Sequence, residues 1–374
     1  MFSIKNIRIS SYILIFSLVC MLLISGCVQS QNDIVEVGVV TSLSGNGATL
    51  GKPFTEGMVL ATEEINAAGG INGKQLVLHI EDGKMEGQAT NSATKFIIDL
   101  YHPKAMVTLY HVEAEAMSPL TNLEEIPLLH MSFARSIAEK DPFAFKINFD
   151  ALDGCKQLVQ YSKDNKKYKK LGALMSRVAY NEYCLQGAQE IEEDISEYWY
   201  EFGNTDFRTL LLKAKEDGVD ALLTVGIDFE YIEMFKQMAE LDYNINLFCA
   251  TASECINPGL EQQDYPSFDG TVSVDFVHPR NMEESDFADK YYSRYPDSRG
   301  AVITQAGAGY DTIMILQSVF EKCDSEDKEC IQSALESYKN QDGDSVIGTI
   351  GFEDRVLKLD YQIYEFNKNG WEQK

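Results

Sequence analysis

From Val35 onward, short apolar runs alternate with stretches of helical spacing, and this alternation restricts the chain to the α/β class. Val35–Val40 reads as a buried strand, and Thr41 to Lys52 as a loop rich in Gly and Ser. Met58, Leu60, Ala61 and Ile65 then repeat at helical spacing between Phe54 and Ala67, and Gly69-Gly70 closes that helix. The same logic gives strands at 75–80, 105–109, 126–130, 170–175, 221–225 and 246–250. Helices fall at 91–99, 114–123, 182–195 and 231–241. Strands that alternate with helices imply parallel sheets covered on both faces. No internal repeat or low-complexity stretch is visible in the residues.

A chain of 374 residues suffices for two domains, each with its own core. Three extended pieces, Phe145–Asp150, Val272–Val277 and Ser345–Gly351, are candidate crossings between the two. The expected architecture is two Rossmann-like lobes with parallel sheets and a three-segment hinge. The ligand cleft then lies between them, beyond the carboxyl ends of the strands. The expected boundaries are residues 34–149 plus 277–344 for lobe 1, and 150–276 plus 345–374 for lobe 2.

Ahead of the first strand, Lys5 and Arg8 precede an apolar stretch from Tyr12 to Ile24 that is too short to span a bilayer comfortably. It ends in Ile24-Ser25-Gly26-Cys27. A charged start, a short apolar core and small residues at the cut define a secretory signal over residues 1–26. A cysteine directly after the small residues resembles a prokaryotic lipobox. That resemblance implies a diacylglycerol on Cys27, an extracytoplasmic location and a short tether over 27–33. An ordinary signal with a chance cysteine is the alternative. The net charge of −26 disfavours nucleic acid and anionic headgroups as partners.

Of the eight cysteines, Cys20 leaves with the signal and Cys27 carries the lipid. Cys155, Cys184, Cys249, Cys255, Cys323 and Cys330 remain, an even set in an oxidising compartment. Sequence proximity favours Cys323–Cys330 and Cys249–Cys255, which leaves Cys155–Cys184; free buried thiols are the alternative. No CxxC occurs, so neither a redox dithiol nor a structural zinc site is expected.

Several blocks resemble the branched-chain amino-acid type substrate-binding proteins of ABC transporters, which have the type I periplasmic-binding-protein fold. These blocks are Leu43-Ser-Gly45 with Gly51, then Glu63-Glu-Ile-Asn-Ala-Ala-Gly-Gly-Ile-Asn-Gly73, then Leu76 to Asp82. Ile126-Pro-Leu-Leu129, Thr205-Asp-Phe207, Asp220-Ala-Leu-Leu223 and Asp269-Gly270 follow in the same order. The resemblance implies a monomeric binding protein that captures a small polar molecule by lobe closure and passes it to ABC permease subunits. It implies no cofactor and no catalysis. A receptor subunit of the same fold, signalling to a membrane partner, is the alternative.

Carried over position by position, the ligand site of that family falls on Leu50, His111, Ser132, Ala134, Tyr180, Ile227, Ala252 and, beside them, Asp228 and Glu254. Of these, Tyr180 matches the family type outright. Ala134 lacks the hydroxyl, and Ala252 lacks the acid that pairs with a ligand ammonium unless Glu254 replaces it. A buried charge needs a partner, so the usual amino-acid clamp is altered here. His111 can donate to a ligand oxygen or bond to backbone. Glu113 and Glu115 beside it read as a solvated helix start rather than as metal ligands. Arg135 and Arg177 can hold an anion or make surface ion pairs, and Tyr110 and Phe133 can wall a ligand or pack in the core. The chain holds neither a GxSxG elbow nor a P-loop.

Overall fold

The computed structural model describes residues 34–133, 135–226, 228–250, 255, 269–276, 282–298, 303–323, 327–340, 345–367 and 369–374. Cys27 with the signal segment and tether, Ala134, Ile227, Ala252 and Glu254 lie outside the described residues. Among those described, the strands form two seven-stranded sheets.

The first sheet holds β1 (Ile34–Thr41), β2 (Gln75–Asp82), β3 (Ala105–Thr108), β4 (Leu128–His130) and β5 (Ala144–Lys146), parallel in the order β2-β1-β3-β4-β5. Helices α1 (Ala48–Ala67), α2 (Gly87–Tyr101), α3 (His111–Leu123) and α4 (Ser136–Lys140) connect them. The second sheet repeats the pattern with β6 (Leu171–Ser176), β7 (Ile195–Tyr200), β8 (Ala221–Val225), β9 (Asn246–Ala250) and β10 (Val272–Asp275). Their order is β7-β6-β8-β9-β10, again parallel. Helices α5 (Ala151–Asn165), α6 (Ala179–Gln189), α7 (Arg208–Glu216) and α8 (Asp228–Glu240) belong to it. The topology therefore repeats although the residues do not.

Central strands such as β3 and β8 are buried along their whole length, as helices on both faces require. The edge strand β7, Ile-Ser-Glu-Tyr-Trp-Tyr, keeps a partly exposed face. This strand corrects the expected helix over 182–195, which ends at Gln189; Ile195 already belongs to an alternating β pattern. Helix α1 begins at Ala48, inside the stretch expected as loop. Gly51 permits this, because a Cβ there would meet the Ser42 carbonyl oxygen at 1.9 Å.

The Gly69–Lys74 block has a defined purpose. Ile71 and Lys74 exchange backbone hydrogen bonds of 2.8 and 2.9 Å. Asn72 (φ 51) and Gly73 (φ 82) supply the left-handed pair that a tight reversal needs. Asn66 fastens the helix to the following strand by bonding both the N–H and the carbonyl of Leu76 at 2.8 Å.

The last third of the chain returns to the first sheet. Helices α9 (Asp286–Arg294), α10 (Ile303–Lys322) and α11 (Lys328–Glu336) precede β11 (Thr349–Glu353) and β12 (Val356–Leu359). Strand β12 lies beside β5 with Val356 opposite Lys146, and β11 pairs antiparallel with β12. The expected placement of 345–374 wholly in the second lobe is therefore corrected. Asp354 (φ 50) and Arg355 (φ 61) form a two-residue hairpin turn, so Ser345–Gly351 leads into a hairpin of the first sheet rather than across the hinge. The chain crosses only after Leu359, and β13 (Gln362–Asn367) and β14 (Gly370–Gln373) extend the second sheet beside β10. Disulfides join Cys249 to Cys255 and Cys323 to Cys330, the pairs that sequence proximity favours, and Cys155 to Cys184, the pair left over.

Candidate functional site

Strand order reverses between β1 and β3 and again between β6 and β8, so each sheet opens a crevice at the carboxyl ends of those strands. In the first lobe the crevice floor is closed by Glu113, the third residue of α3. It is fully buried, not part of a solvated helix start. Its carboxylate accepts hydrogen bonds from Ser42 Oγ at 2.5 Å and Thr108 Oγ1 at 2.9 Å, and so staples the ends of β1 and β3 together. Burial pushes the carboxyl above its ordinary range, opposed by those hydrogen bonds. Sequence reasoning named this residue but read it as solvated; an acid at the third helical position, facing the orphan amides of the first turn, was the available signal for a structural role.

Tyr110, just before α3, donates its phenol to the Gly47 carbonyl at 2.5 Å and fixes the Gly-rich loop that enters α1. Burial and the nearby Glu113 push that phenol up to about 12. Leu50, on the first turn of α1, is half-buried and packs on the core. His111 opens α3 with its side chain 45% exposed. Its Nδ1 lies 2.7 Å from Ser132 Oγ, and its Nε2 lies 3.3 Å from Glu115 Oε1. The structure therefore brings His111 and Ser132 together at the rim, the serine buried and the imidazole reaching solvent.

Tyr180 lies on the first turn of α6, in the second lobe. Phe133, 57% exposed, meets its ring edge-on at 5.3 Å between centroids, and Phe149 lies at 6.3 Å. Tyr183, one turn on, donates to Glu139 Oε2 at 3.1 Å. Both contacts link α6 to the loop and helix that follow β4. Arg135 turns away from solvent toward the hinge, with Nε 3.4 Å from Asp150 Oδ1. Arg177 stays exposed at the rim over Trp199, and its Nε is 4.0 Å from Glu201. Asp228 begins α8 at the carboxyl end of β8.

In the second lobe Glu230, the third residue of α8, is also fully buried. It accepts from the Gly203 amide at 2.8 Å and from Tyr200 Oη at 3.3 Å. Among the described residues no group of three or more His, Cys, Asp or Glu side chains could hold a metal ion. A cavity of about 500 Å³ lies near the amino ends of β8 and β9, lined by Asp220, Phe235, Tyr243 and Asn246 among others, at the opposite end of the sheet from the crevice.

The chain matches the family model described as periplasmic binding protein over residues 34–371. It is 25% identical over 262 residues to the Leu/Ile/Val-binding protein homolog 8 of Brucella abortus (strain 2308), covering 65% of this chain and 64% of that protein. The chain thus spans just under two thirds of the length of that curated relative. Among solved structures, the branched-chain amino acid transporter substrate-binding protein LivJ of Streptococcus pneumoniae, in complex with isoleucine, superposes with a TM-score of 0.69 at 19% identity. It covers 91% of this chain and 98% of its own. The solute-binding protein of an ABC transporter from Rhodopseudomonas palustris BisB5, in complex with 3,4-dihydroxybenzoic acid, also gives 0.69 at 19% identity, over 91% and 96% of the two chains. These relatives are solute-binding proteins rather than enzymes.

Proposed function

Because this chain belongs to the periplasmic binding protein family, we propose that it is the extracytoplasmic solute-binding component of an ABC importer. It works as a monomer, held to the membrane by a lipid on Cys27, and closes two lobes over a small polar ligand before delivery to permease subunits. The lobes comprise residues 34–149 with 277–359, and residues 150–276 with 360–374. The observation that carries this reading is the contact of His111 with Ser132, on the first-lobe loop whose Phe133 meets Tyr180 of the second lobe. Polar groups beside aromatic rings suit a ligand with an oxygen-bearing head and a flat or apolar body. Leu50, Asp228, Ala134, Ile227, Ala252 and Glu254 complete the assigned set. The ligand is an amino acid, an amide or a related molecule such as the benzoate held by the Rhodopseudomonas protein.

A thermal-shift screen with leucine, isoleucine, short amides and 3,4-dihydroxybenzoate tests the reading. A true ligand at a hundredfold excess over its Kd adds about 2.7 kcal/mol and moves the midpoint with the logarithm of concentration. Tyr180→Ala and His111→Ala are each expected to weaken the best binder about tenfold, the effect of losing one site contact. Unchanged affinity in both variants would place the ligand elsewhere.

A further inference from the structure

The first crossing carries a cluster of buried charges that ligand contact alone does not explain. Lys146, at the end of β5, is fully buried and donates its ammonium to the carbonyls of Asn148 at 3.0 Å and Phe149 at 2.6 Å. It thereby clamps the two residues that lead into the second lobe. Asp150 follows, also fully buried, and starts α5; its Oδ2 accepts from the Asp153 amide at 3.3 Å. The Asp150 N–H donates to Tyr361 Oη at 2.8 Å, and Tyr361 lies on the last crossing. Two of the three connections between the lobes therefore meet at one residue.

The other carboxylate oxygen of Asp150 is incompletely held. Its Oδ1 stands 3.6 Å from Lys146 Nζ and 3.4 Å from Arg135 Nε. Among the described residues, neither Oδ1 nor Arg135 Nε, both buried, has an aligned hydrogen bond. A buried carboxylate oxygen in that state is unfavourable, and a small rotation of α5 toward Arg135 would satisfy it. Arg135 sits at the end of the loop that carries Ser132 and Phe133, so movement of that loop reaches Asp150 directly.

We infer that Arg135 and Asp150 form a positioning pair, in which the guanidinium on the crevice loop of the first lobe draws in the carboxylate that opens the second lobe and so biases the lobes toward closure. Neither residue needs to touch the ligand. The inference rests on the closure reading above and adds the element that sets its equilibrium. It also accounts for the inward turn of Arg135, a residue whose charge would otherwise serve an anion.

The test measures the distance between spin labels on p-acetylphenylalanine at Lys95 and Glu216, exposed positions on α2 and α7. Labels of this kind leave the disulfides intact. In the ligand-free full chain, Arg135→Gln is expected to lower the closed population about tenfold, as loss of a coupled charge contact does. Arg135→Lys is expected to restore most of it. Asp150→Asn provides a second break in the same pair, and Arg135→Gln remains informative if that variant folds poorly. Distance distributions that are identical in wild type and Arg135→Gln would overturn the inference. A wild-type distribution that none of isoleucine, leucine or 3,4-dihydroxybenzoate moves would instead count against closure itself, so the two failures are separable.

Discussion

The two lobes share a strand order but not the means of holding it. Each places a fully buried glutamate at the third position of the helix after its third strand. In the first lobe Glu113 binds hydroxyls from β1 and β3 and draws together the strands on either side of the reversal point. In the second, Glu230 reaches past that point to the edge, holding the Tyr200 phenol at the end of β7 and the Gly203 amide beyond it. The first crevice floor is thus filled by its own polar network. The second keeps its network at the side. A repeated topology allows different chemistry on each wall, because backbone pairing sets strand order and side chains decide what lines the crevice.

The contrast can be broken in order of size. Glu113→Ala leaves two buried hydroxyls facing a cavity and should cost about 3 kcal/mol in urea unfolding. Glu230→Ala should cost less, about 2 kcal/mol, since the partly exposed Gly203 amide can turn to water. Equal losses would remove the distinction between the lobes.

A second contrast concerns His130 on β4. It is fully buried, and among the described residues neither ring nitrogen has a hydrogen bond. Burial, with Lys146 and His111 nearby, pushes its imidazole down to about 3. The unfolded chain binds this proton near pH 6.5 while the fold refuses it until about pH 3. Its contribution to stability is therefore complete above pH 6.5 and is lost as pH falls through that window, by about 1.4 kcal/mol per unit. His130→Leu should flatten the slope by one proton, and an unchanged acid limb of the stability curve would refute the assignment. The smallest effect is expected at the surface: Lys156→Ala, which breaks an exposed pair with Glu190, should change stability by under about 0.5 kcal/mol.

Much of the fold was legible because its signals are local. Apolar runs such as Ala221–Val225 mark covered strands, and Ile71-Asn-Gly-Lys74 names its own turn. The failures were also local in cause. The expected helix over 182–195 overran to Ile195, and the strand Ile195–Tyr200 was missed, because no glycine separates the two elements. The hairpin turn at Asp354-Arg355 lacks the usual Asn-Gly signal, so β11 and β12 were sent to the other lobe.

At the candidate site, His111, Ser132 and Tyr180 were nominated only through the family resemblance, carried over position by position. The contact of Phe133 with Tyr180 across the lobes has no such signal. The sequence by itself determined the α/β class, the extent of the strand–helix alternation and the tight turn after the first helix, since these depend on residues a few positions apart. The tertiary structure alone decided that Glu113 is buried, that Arg135 turns to Asp150 rather than to solvent, and that the chain crosses after Leu359. Those outcomes depend on which distant groups share a desolvated space, and burial reverses the ordinary preference of a charge for water only where a partner has been brought to it.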